Sequence, residues 1–336
     1  MMADCPAGPT ATARNAVRGR FAPSPTGPLH FGSLIAALGS FLEARRRGGE
    51  WHVRIEDVDT TRTMPGAADA ILRTLERCGL LWDGPVLYQS RRTEIYRAAL
   101  ERLLRAGLAY PCTCSRRELA KCPRGGDGSP LYPGHCRVGV RQPGRPHAIR
   151  LRATDATLAF RDAVQGEYRQ RLASEVGDFV IRRTDGLFAY QLAVVVDDAT
   201  QGITQVVRGS DLLSSTPRQI YLQRLLDFPT PEYAHLPVAV DRRGDKLSKQ
   251  TGAAPLDPGN PAPTLWAALR FLGQAPPPEL ARESPATILA WAGAHWRPQR
   301  IPTVLSHYWE IPPIRPVAPN GLAQNAKAVD NARTMG

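Results

Sequence analysis

The sequence predicts an α/β fold built on an open, doubly wound parallel sheet, and three observations lead to this fold class. Strand-like and helix-like segments alternate along most of the 336 residues. Polar, turn-rich loops follow strand-like segments at residues 23–33, 56–62 and 197–211. Residues 190–196 are apolar apart from Gln191, which is typical of a strand buried on both faces of a parallel sheet. In such sheets a ligand binds at the carboxyl ends of the strands, where we expect these loops to gather.

The pattern of the first third of the chain predicts a strand, a loop, a helix and a second strand. Residues 17–22 are a strand candidate, and apolar residues then recur at helical spacing until the basic run 45–47 and the glycine pair 48–49. Residues 51–55 alternate between apolar and polar types, which predicts a second strand. This strand ends in the acidic run 56–59. Two further helical patterns follow, and they cover residues 67–78 and 93–106.

The rest of the chain begins with a segment that has few large apolar residues. Residues 112–145 are rich in glycine, proline and cysteine, so this segment needs a cross-link or a metal to hold it together. After it we predict strands at 148–159, 179–181 and 190–196, and helices at 217–226 and 264–272. Residues from 312 onward are rich in Pro, Asn and Ala and are expected to be disordered. We find no internal repeat.

The composition favours a polyanionic partner and excludes a membrane protein. The formal net charge is +12, and arginines cluster in pairs and in one triplet, which suits nucleic acid, although a biased genome would also give an Arg-rich chain. No segment approaches the roughly 18 apolar residues that span a bilayer, and residues 1–16 read as a loose tail without a signal peptide. We therefore expect a cytoplasmic protein, in which six cysteines point to a metal rather than to disulfides.

The cysteine spacing predicts a zinc site. Cys112 and Cys114 are two positions apart, so that a strand or a tight turn can aim both thiols the same way, and Cys136 follows 22 positions after Cys114. The residues alone leave the fourth ligand open between His135, Cys122 and Tyr132. Cys5 and Cys78 look incidental.

Two motifs carry the chemistry of a phosphate ligand. In RFAPSPTGPLHFGS, residues 20–33, His30 stands at the start of a helix and Gly32 has no side chain to obstruct an approaching ligand. In DRRGDKLSKQTG, residues 241–252, Lys246 and Lys249 lie in a polar loop that could close over an anion.

These motifs, taken with RIEDVD, LFAYQLAVVVDDATQG and VVRGSDLL, resemble the class I glutamyl-tRNA synthetase family in order and spacing over residues 18–252. The resemblance makes HFGS the "HIGH" element and KLSKQ the "KMSKS" element. It implies that His30, Gly32, Lys246 and Lys249 bind ATP, with magnesium, and act in catalysis. The sequence departs from the family pattern at Leu247, a mild change, and at Gln250, where the family has serine.

The resemblance also implies an amino-acid site. The family pattern assigns glutamate binding to the stretch Arg20, Phe21, Ala22, Pro23 and Ser24, together with Glu56, Tyr190 and Arg208. A dry pocket needs a cation for each substrate carboxylate and an anion for the ammonium. We accordingly expect Arg20 and Arg208 to bind carboxylate, Glu56 to bind the ammonium and Tyr190 to donate a hydrogen bond.

The spacing CTC followed by Y-x-x-x-C is similar to the Cys-Cys-Tyr-Cys zinc site of the glutamyl-queuosine branch of this family. The resemblance thus makes Cys112, Cys114, Tyr132 and Cys136 the ligands of one structural zinc. About 85 residues follow Lys249, too few for the anticodon-reading module of ordinary glutamyl synthetases.

The branch implies that L-glutamate is activated by ATP without RNA. Glutamate is then joined to the queuosine base at the first anticodon position of tRNA(Asp), which is held by its anticodon stem-loop. A compact glutamyl-tRNA synthetase that charges a tRNA 3′ end and a non-catalytic RNA-binding paralogue are the alternatives. We expect a monomer.

The predicted domains follow from these motifs. They are an N-terminal tail, the first half of a Rossmann-like catalytic domain, a zinc-containing insert, the second half of the catalytic domain, a C-terminal helical extension and a C-terminal tail, at residues 1–16, 17–109, 110–176, 177–252, 253–311 and 312–336.

Overall fold

The computed structural model describes residues 17–126, 128–247, 256–257 and 259–309. The predicted tails, Lys249 and Gln250 lie outside the described residues. The helices of the described residues are α1 (Phe31–Arg46), α2 (Ala67–Arg77), α3 (Thr93–Arg105), α4 (Arg116–Leu119), α5 (Leu172–Glu175), α6 (Tyr190–Thr200), α7 (Thr216–Leu225), α8 (Ala262–Phe271) and α9 (Pro285–His295). The strands are β1 (Arg18–Phe21), β2 (Glu50–Ile55), β3 (Leu87–Tyr88), β4 (Ala109–Cys112), β5 (Ala148–Leu151), β6 (Thr157–Asp162), β7 (Gly166–Arg171), β8 (Phe179–Arg182), β9 (Gln205–Gly209), β10 (Glu232–Leu236), β11 (Val238–Val240) and β12 (Ser306–Tyr308).

A parallel sheet forms the centre of the molecule. Strands pair in the order β1-β2-β3, and β9 pairs in parallel with β10. The two groups meet where the backbone N–H of Thr204 donates to the Arg18 carbonyl over 3.0 Å. The strands thus run β3-β2-β1-β9-β10 across the molecule, and the order reverses between β1 and β9. This arrangement confirms the predicted fold class and creates the crevice where such sheets bind ligands.

Helix α1 begins directly after the loop that follows β1. His30 caps its N-terminus, and Leu34, Leu38 and Leu42 are buried on the face that packs against the sheet. The helix has basic residues in its last turn, and Gly48 follows with φ +63°, a left-handed conformation that glycine adopts readily. The strand, loop and helix predicted from the sequence are therefore confirmed.

The middle of the chain adds two antiparallel pairings. Strands β4, β5 and β8 form one antiparallel sheet. The β6–β7 hairpin lies beside the central sheet, because β6 pairs in parallel with β10 through Tyr233 and Asp162. The single strand predicted at 148–159 is in fact two strands, β5 and β6, separated by residues 152–156.

The prediction of a strand at 190–196 is wrong, because these residues open helix α6. Leu192, Ala193, Val194, Val195 and Val196 are all buried, so the helix is apolar on every side within this stretch. A helix buried all round and a strand buried on both faces give the same continuous apolar run. The predicted loop 197–211 is also wrong, since it contains the end of α6 and all of β9.

The remaining helical predictions are confirmed as α2, α3, α7 and α8, with ends that differ by one or two residues. Within the part of the chain that the structure describes, every helix is too short or too polar to cross a membrane.

Candidate active site

The four charged or phenolic side chains predicted to bind an amino acid meet at the carboxyl ends of the central strands. Arg20 lies in β1, Glu56 directly follows β2, Arg208 lies in β9 and Tyr190 begins α6. Arg208 Nη1 donates to the Tyr190 hydroxyl over 3.1 Å. Burial raises the pKa of Tyr190, and the charges of Arg208, Glu56 and Arg20 all act on its hydroxyl. The fold therefore brings these four residues into one site.

The loop after β1 forms one wall of this site. Its Pro23 carbonyl accepts a hydrogen bond from the Glu56 backbone N–H over 2.9 Å, which ties the loop to the end of β2. Phe21 is buried in the core, whereas Ala22 and Pro23 are half-buried and Ser24 is exposed. Phe21 could therefore contact a ligand only through its backbone, whereas the other three residues also have accessible side chains.

Arg20 is held by an acidic residue that was not among the predicted site residues. Its Nε donates to Asp198 Oδ1 over 3.2 Å, and the fully buried Arg54 donates to the same oxygen over 2.8 Å. Arg54 Nη2 also lies 3.4 Å from Glu56 Oε1. These two arginines and two carboxylates form a buried network of ion pairs, which holds the four side chains in place at the site.

The surrounding protein stabilises the ionised form of the Glu56 carboxyl group only weakly. Burial raises the pKa of Glu56 to about 7, although the positive charges of Arg54 and Arg20 act in the opposite direction. A cationic group bound beside Glu56 would favour its ionised form. The site can thus accept an ammonium group at neutral pH.

Arg208 is a buried cation with neutral partners. It is 5% exposed, and its guanidinium donates to His235 Nε2 over 3.0 Å, to the Tyr190 hydroxyl over 3.1 Å and to Thr216 Oγ1 over 2.8 Å. Among the described residues, no Asp or Glu side chain forms a salt bridge with it. A buried charge without a counter-charge is costly, so this arginine is suited to bind an anionic ligand.

The predicted ATP-binding elements also approach each other. The His30 side chain accepts from the backbone N–H of Ser33 over 3.3 Å at the start of α1. A Cβ atom at Gly32 would lie only 3.2 Å from the Leu247 carbonyl oxygen, so the missing side chain lets the first turn of α1 pack closely against Leu247. Lys246 Nζ lies 2.6 Å from Asp211 Oδ2. The N-terminus of α1 thus lies close to Leu247, at the end of the part of the lysine loop that the structure describes.

The comparisons with known proteins agree with this geometry. Residues 16–257 match the family model for the catalytic domain of class I tRNA synthetases (E and Q). The chain is similar to the glutamyl-Q tRNA(Asp) synthetases of Dechloromonas aromatica, with 60% identity over 287 residues, and of Aromatoleum aromaticum, with 59% over 288 residues. Each alignment covers 85% of this chain, and 95% and 91% of the two relatives.

A solved structure shares the fold. It is a glutamate tRNA ligase from Elizabethkingia meningosepticum in complex with its amino acid, with a TM-score of 0.73 and 25% identity, and the match covers 88% of this chain and 68% of the ligase. The chain belongs to the class I tRNA synthetase family. It is an enzyme of the ligase class with glutamyl-tRNA-synthetase-like activity. The alternative of a non-catalytic RNA-binding paralogue is therefore wrong.

The residues predicted to bind zinc also come together in this class I synthetase. The sulfur atoms of Cys112, Cys114 and Cys136 all lie within 4.8 Å of one another. The Tyr132 hydroxyl lies 3.3 Å from Cys112 Sγ and 3.7 Å from Cys114 Sγ. Cys122, the other thiol considered, contacts the Glu118 carbonyl instead.

The surroundings of the cluster fit a metal bound by thiolates. Burial opposes ionisation of Cys136, but hydrogen bonds from the Arg141 backbone, the Tyr132 hydroxyl and the Thr113 backbone lower the pKa of Cys136 to about 6. Arg150 Nε donates to Cys112 Sγ over 3.3 Å, as outer partners of metal ligands do. Three thiolate sulfurs within reach of one ion are ligands that suit zinc, and the Tyr132 hydroxyl lies where a fourth ligand would stand.

A basic groove runs beside this cluster. It has a volume of about 860 Å³, and its lining includes Arg116, Arg145, Arg150, Arg183 and Asp185. Arg116 and Arg145 are exposed. The groove carries an excess of positive charge, as a binding surface for a phosphate backbone does.

Sequence reasoning missed several residues that shape the site. Arg54 and Asp198 lie within the motifs RIEDVD and LFAYQLAVVVDDATQG. A charged residue within an otherwise apolar segment is the feature of the sequence that could have identified them as site residues. Asp162 and His235 lie far apart in the chain, and nothing local in the sequence indicated that the sheet brings them together.

Proposed function

We propose that this enzyme activates L-glutamate with ATP in the absence of RNA and then transfers the glutamyl group to the queuosine base at the first anticodon position of tRNA(Asp). The names of the similar relatives support the choice of glutamate and tRNA(Asp). The structural observation that carries the choice of an acidic amino acid is Arg208, a buried cation supplied only with neutral partners among the described residues. A substrate with a side-chain carboxylate completes this site.

In the proposed site the substrate is held at both ends. Arg208 and Tyr190 bind the side-chain carboxylate, and Glu56 binds the ammonium group. Arg20 would bind a substrate carboxylate with the guanidinium nitrogens that its hydrogen bond to Asp198 leaves available. The loop of Phe21, Ala22, Pro23 and Ser24 borders the bound amino acid. This orientation leaves the α-carboxylate directed toward the ATP-binding elements.

In activation, a substrate α-carboxylate oxygen bonds to the α-phosphorus of ATP, the bond from that phosphorus to the bridging oxygen breaks, and pyrophosphate leaves. Residues His30 and Gly32 at the start of α1 would border the phosphates, and Lys246 and Lys249 would balance the charge of the departing pyrophosphate. Transfer follows when a hydroxyl of the queuosine base attacks the acyl carbon and AMP leaves.

The Cys112, Cys114, Tyr132 and Cys136 cluster would hold one zinc ion. When bound, this zinc would supply structural cross-linking to the region between β4 and β5. The cluster forms a small buried group of its own, with Tyr110, separate from the larger cores. We propose that it maintains the basic groove rather than taking part in activation.

Glutamate-dependent exchange of labelled pyrophosphate into ATP, measured without RNA, tests the activation step. We expect exchange with glutamate and at least about 100-fold less with glutamine, since glutamine has the same shape but leaves Arg208 unpaired. Exchange that is equal with both amino acids, or absent with glutamate, would refute the proposal.

Transfer is tested in the same preparation with labelled glutamate. We expect label on tRNA(Asp) that carries queuosine and none on tRNA(Asp) that lacks it. Label on the 3′ end of an unmodified tRNA would instead identify a compact glutamyl-tRNA synthetase.

A further inference from the structure

Arg208 is oriented by a histidine to which the proposed function gives no role. His235 lies opposite Arg208 in the pairing of β9 with β10, and it is fully buried. Its Nε2 lies 3.0 Å from Arg208 Nε. A guanidinium N–H can only donate, so His235 Nε2 must be an acceptor and carry no proton.

The other ring nitrogen of His235 faces a carboxylate. Asp162 Oδ2 lies 2.5 Å from His235 Nδ1. An ionised carboxylate only accepts hydrogen bonds, so Nδ1 carries the proton. Burial lowers the pKa of His235 to about 4, although Asp162 acts in the opposite direction, and the ring is therefore neutral at pH 7. One tautomer, with the proton on Nδ1, satisfies both neighbours.

Asp162 is itself fixed in orientation. Its Oδ1 accepts from three backbone N–H groups, those of Val164 at 3.0 Å, Gln165 at 2.9 Å and His235 at 3.0 Å. Oδ2 is thus the oxygen that faces the ring. The two hydrogen bonds run in the same direction, toward Asp162. Arg208 Nε–H donates to His235 Nε2, and His235 Nδ1–H donates to the Asp162 carboxylate.

A carboxylate placed directly against Arg208 would neutralise the guanidinium and compete with an anionic substrate. The imidazole provides an acceptor that carries no charge. The Thr216 hydroxyl provides a second uncharged acceptor beside it, since Thr216 Oγ1 lies 2.8 Å from Arg208 Nη2 and 3.2 Å from His235 Nε2. Arg208 is thereby held in place while its positive charge stays uncompensated within the described residues.

We propose that Asp162 and His235 are positioning residues for amino-acid recognition. Asp162 holds His235 as the neutral ring protonated on Nδ1. His235 accepts a hydrogen bond from the Nε–H of Arg208 and so fixes the guanidinium, whose charge is left for the side-chain carboxylate of the substrate. This inference rests on the proposed role of Arg208 in binding glutamate. Asp162 ends β6, within the predicted insert 110–176, so the insert would contribute to recognition of the amino acid.

The substitution Asp162→Asn tests the direction of these hydrogen bonds. Oδ1 must remain an oxygen, because it accepts from three backbone N–H groups. The amide nitrogen then faces His235 Nδ1 as a donor. The ring is forced into the Nε2-protonated tautomer, which sets one N–H against the Nε–H of Arg208.

We expect the glutamate KM of Asp162→Asn in pyrophosphate exchange to rise about tenfold or more, with the ATP KM unchanged. Spectra of the ring nitrogens in protein labelled with ¹⁵N-histidine should show Nδ1 protonation for His235 in the wild type and Nε2 protonation in the variant. The signal of His235 is assigned by its loss in His235→Gln. Asp178→Asn is the matched control, since Asp178 is a buried carboxylate that accepts from Arg137 and the Ala153 backbone without contacting Arg208. It should keep the wild-type glutamate KM.

A wild-type ring that is charged or protonated on Nε2 at pH 7 would overturn the inference, as would a normal glutamate KM in Asp162→Asn. If that variant fails to fold, His235→Gln and His235→Leu decide. The glutamine amide oxygen can accept from Arg208 and leucine cannot, so equal glutamate KM values would overturn the inference. Wild-type protein without glutamate-dependent exchange would refute the proposed function instead, and the ring spectra would still report the tautomer.

Discussion

Arg20 and Arg208 are both buried arginines of the proposed amino-acid site, but their surroundings are opposite. Arg20 donates to the ionised Asp198, whose carboxylate also accepts from Arg54. Arg208 contacts an imidazole, a phenol and a hydroxyl. The first arginine is compensated by the protein, and the second has its charge left for a ligand. Residue type and position alone predict the same role for both arginines. Their roles differ because Arg20 pairs with a carboxylate in α6, whereas Arg208 pairs with an imidazole in β10.

Glu56 gives the proposed site a pH dependence. Burial raises the pKa of Glu56 to about 7, so the carboxyl group is mostly neutral at pH 6 and mostly ionised at pH 8. Only the ionised form can pair with the substrate ammonium. We predict that kcat/KM for glutamate in pyrophosphate exchange rises about tenfold from pH 6 to pH 8 and levels off above the pKa.

The variant Glu56→Gln separates this group from others that titrate in the same range. Its kcat/KM for glutamate should be lower than that of the wild type at pH 8 and should lose the rise between pH 6 and pH 8. A rise of the same size in Glu56→Gln would assign the titration to a different group.

At the scale of elements, the sequence predicted the parts that local patterns determine. The helix α1, the strand β2 and the cysteine cluster follow from periodicity, from alternation and from ligand spacing. Helix α6 was mistaken for a strand, because residues 192–196 are buried on all sides and thus show no polar face. The pairing of His235 with Asp162 could not be predicted for a different reason. It depends on β6 lying beside β10, which is a long-range contact without a local signature.

The close approach of α1 to the lysine loop predicts a sensitive glycine. A methyl group at Gly32 would lie 3.2 Å from the Leu247 carbonyl oxygen and from the His30 ring. We expect Gly32→Ala to raise the barrier to pyrophosphate exchange by about 1–3 kcal/mol, mainly through the ATP KM. Gly293→Ala in α9 is the control, since a Cβ there meets nothing within 4 Å. Equal activity of the two variants would show that the first turn of α1 and Leu247 have room to separate.

The cysteine cluster predicts a stability effect that is separable from activation. We expect Cys114→Ser to purify without zinc and to unfold more easily, by about 4 kcal/mol where free zinc exceeds its Kd a thousandfold. Metal analysis and urea unfolding measure these two quantities. Glutamate-dependent exchange per folded molecule should stay close to that of the wild type. Loss of exchange in a variant that remains folded would place the metal within the catalytic machinery.

At the scale of the whole molecule, the proposed chemistry and the basic groove belong to different parts of the fold. The amino-acid site lies at the ends of β1, β2 and β9, whereas the groove lies beside β4 and the cysteine cluster. Arg183 connects the two regions, because it lines the groove and donates to Asp59 in the loop after β2 over 2.8 Å. An RNA bound in the groove would therefore contact a residue that is tied to the loop following Glu56.

The groove predicts how RNA binding responds to salt. Each arginine that contacts a phosphate releases counterions, so affinity falls with salt concentration in proportion to the number of contacts. We expect the double variant Arg116→Ala and Arg145→Ala to weaken binding of tRNA(Asp) and to reduce the slope of log Kd against log salt by roughly 1.4 to 1.8. Exchange without RNA should not change, because neither side chain belongs to the proposed amino-acid or ATP site. Arg282→Ala, an exposed arginine outside the groove, is the control. A slope equal to that of the wild type in the double variant, with a smaller slope in Arg282→Ala, would move the RNA-binding surface to the C-terminal helices.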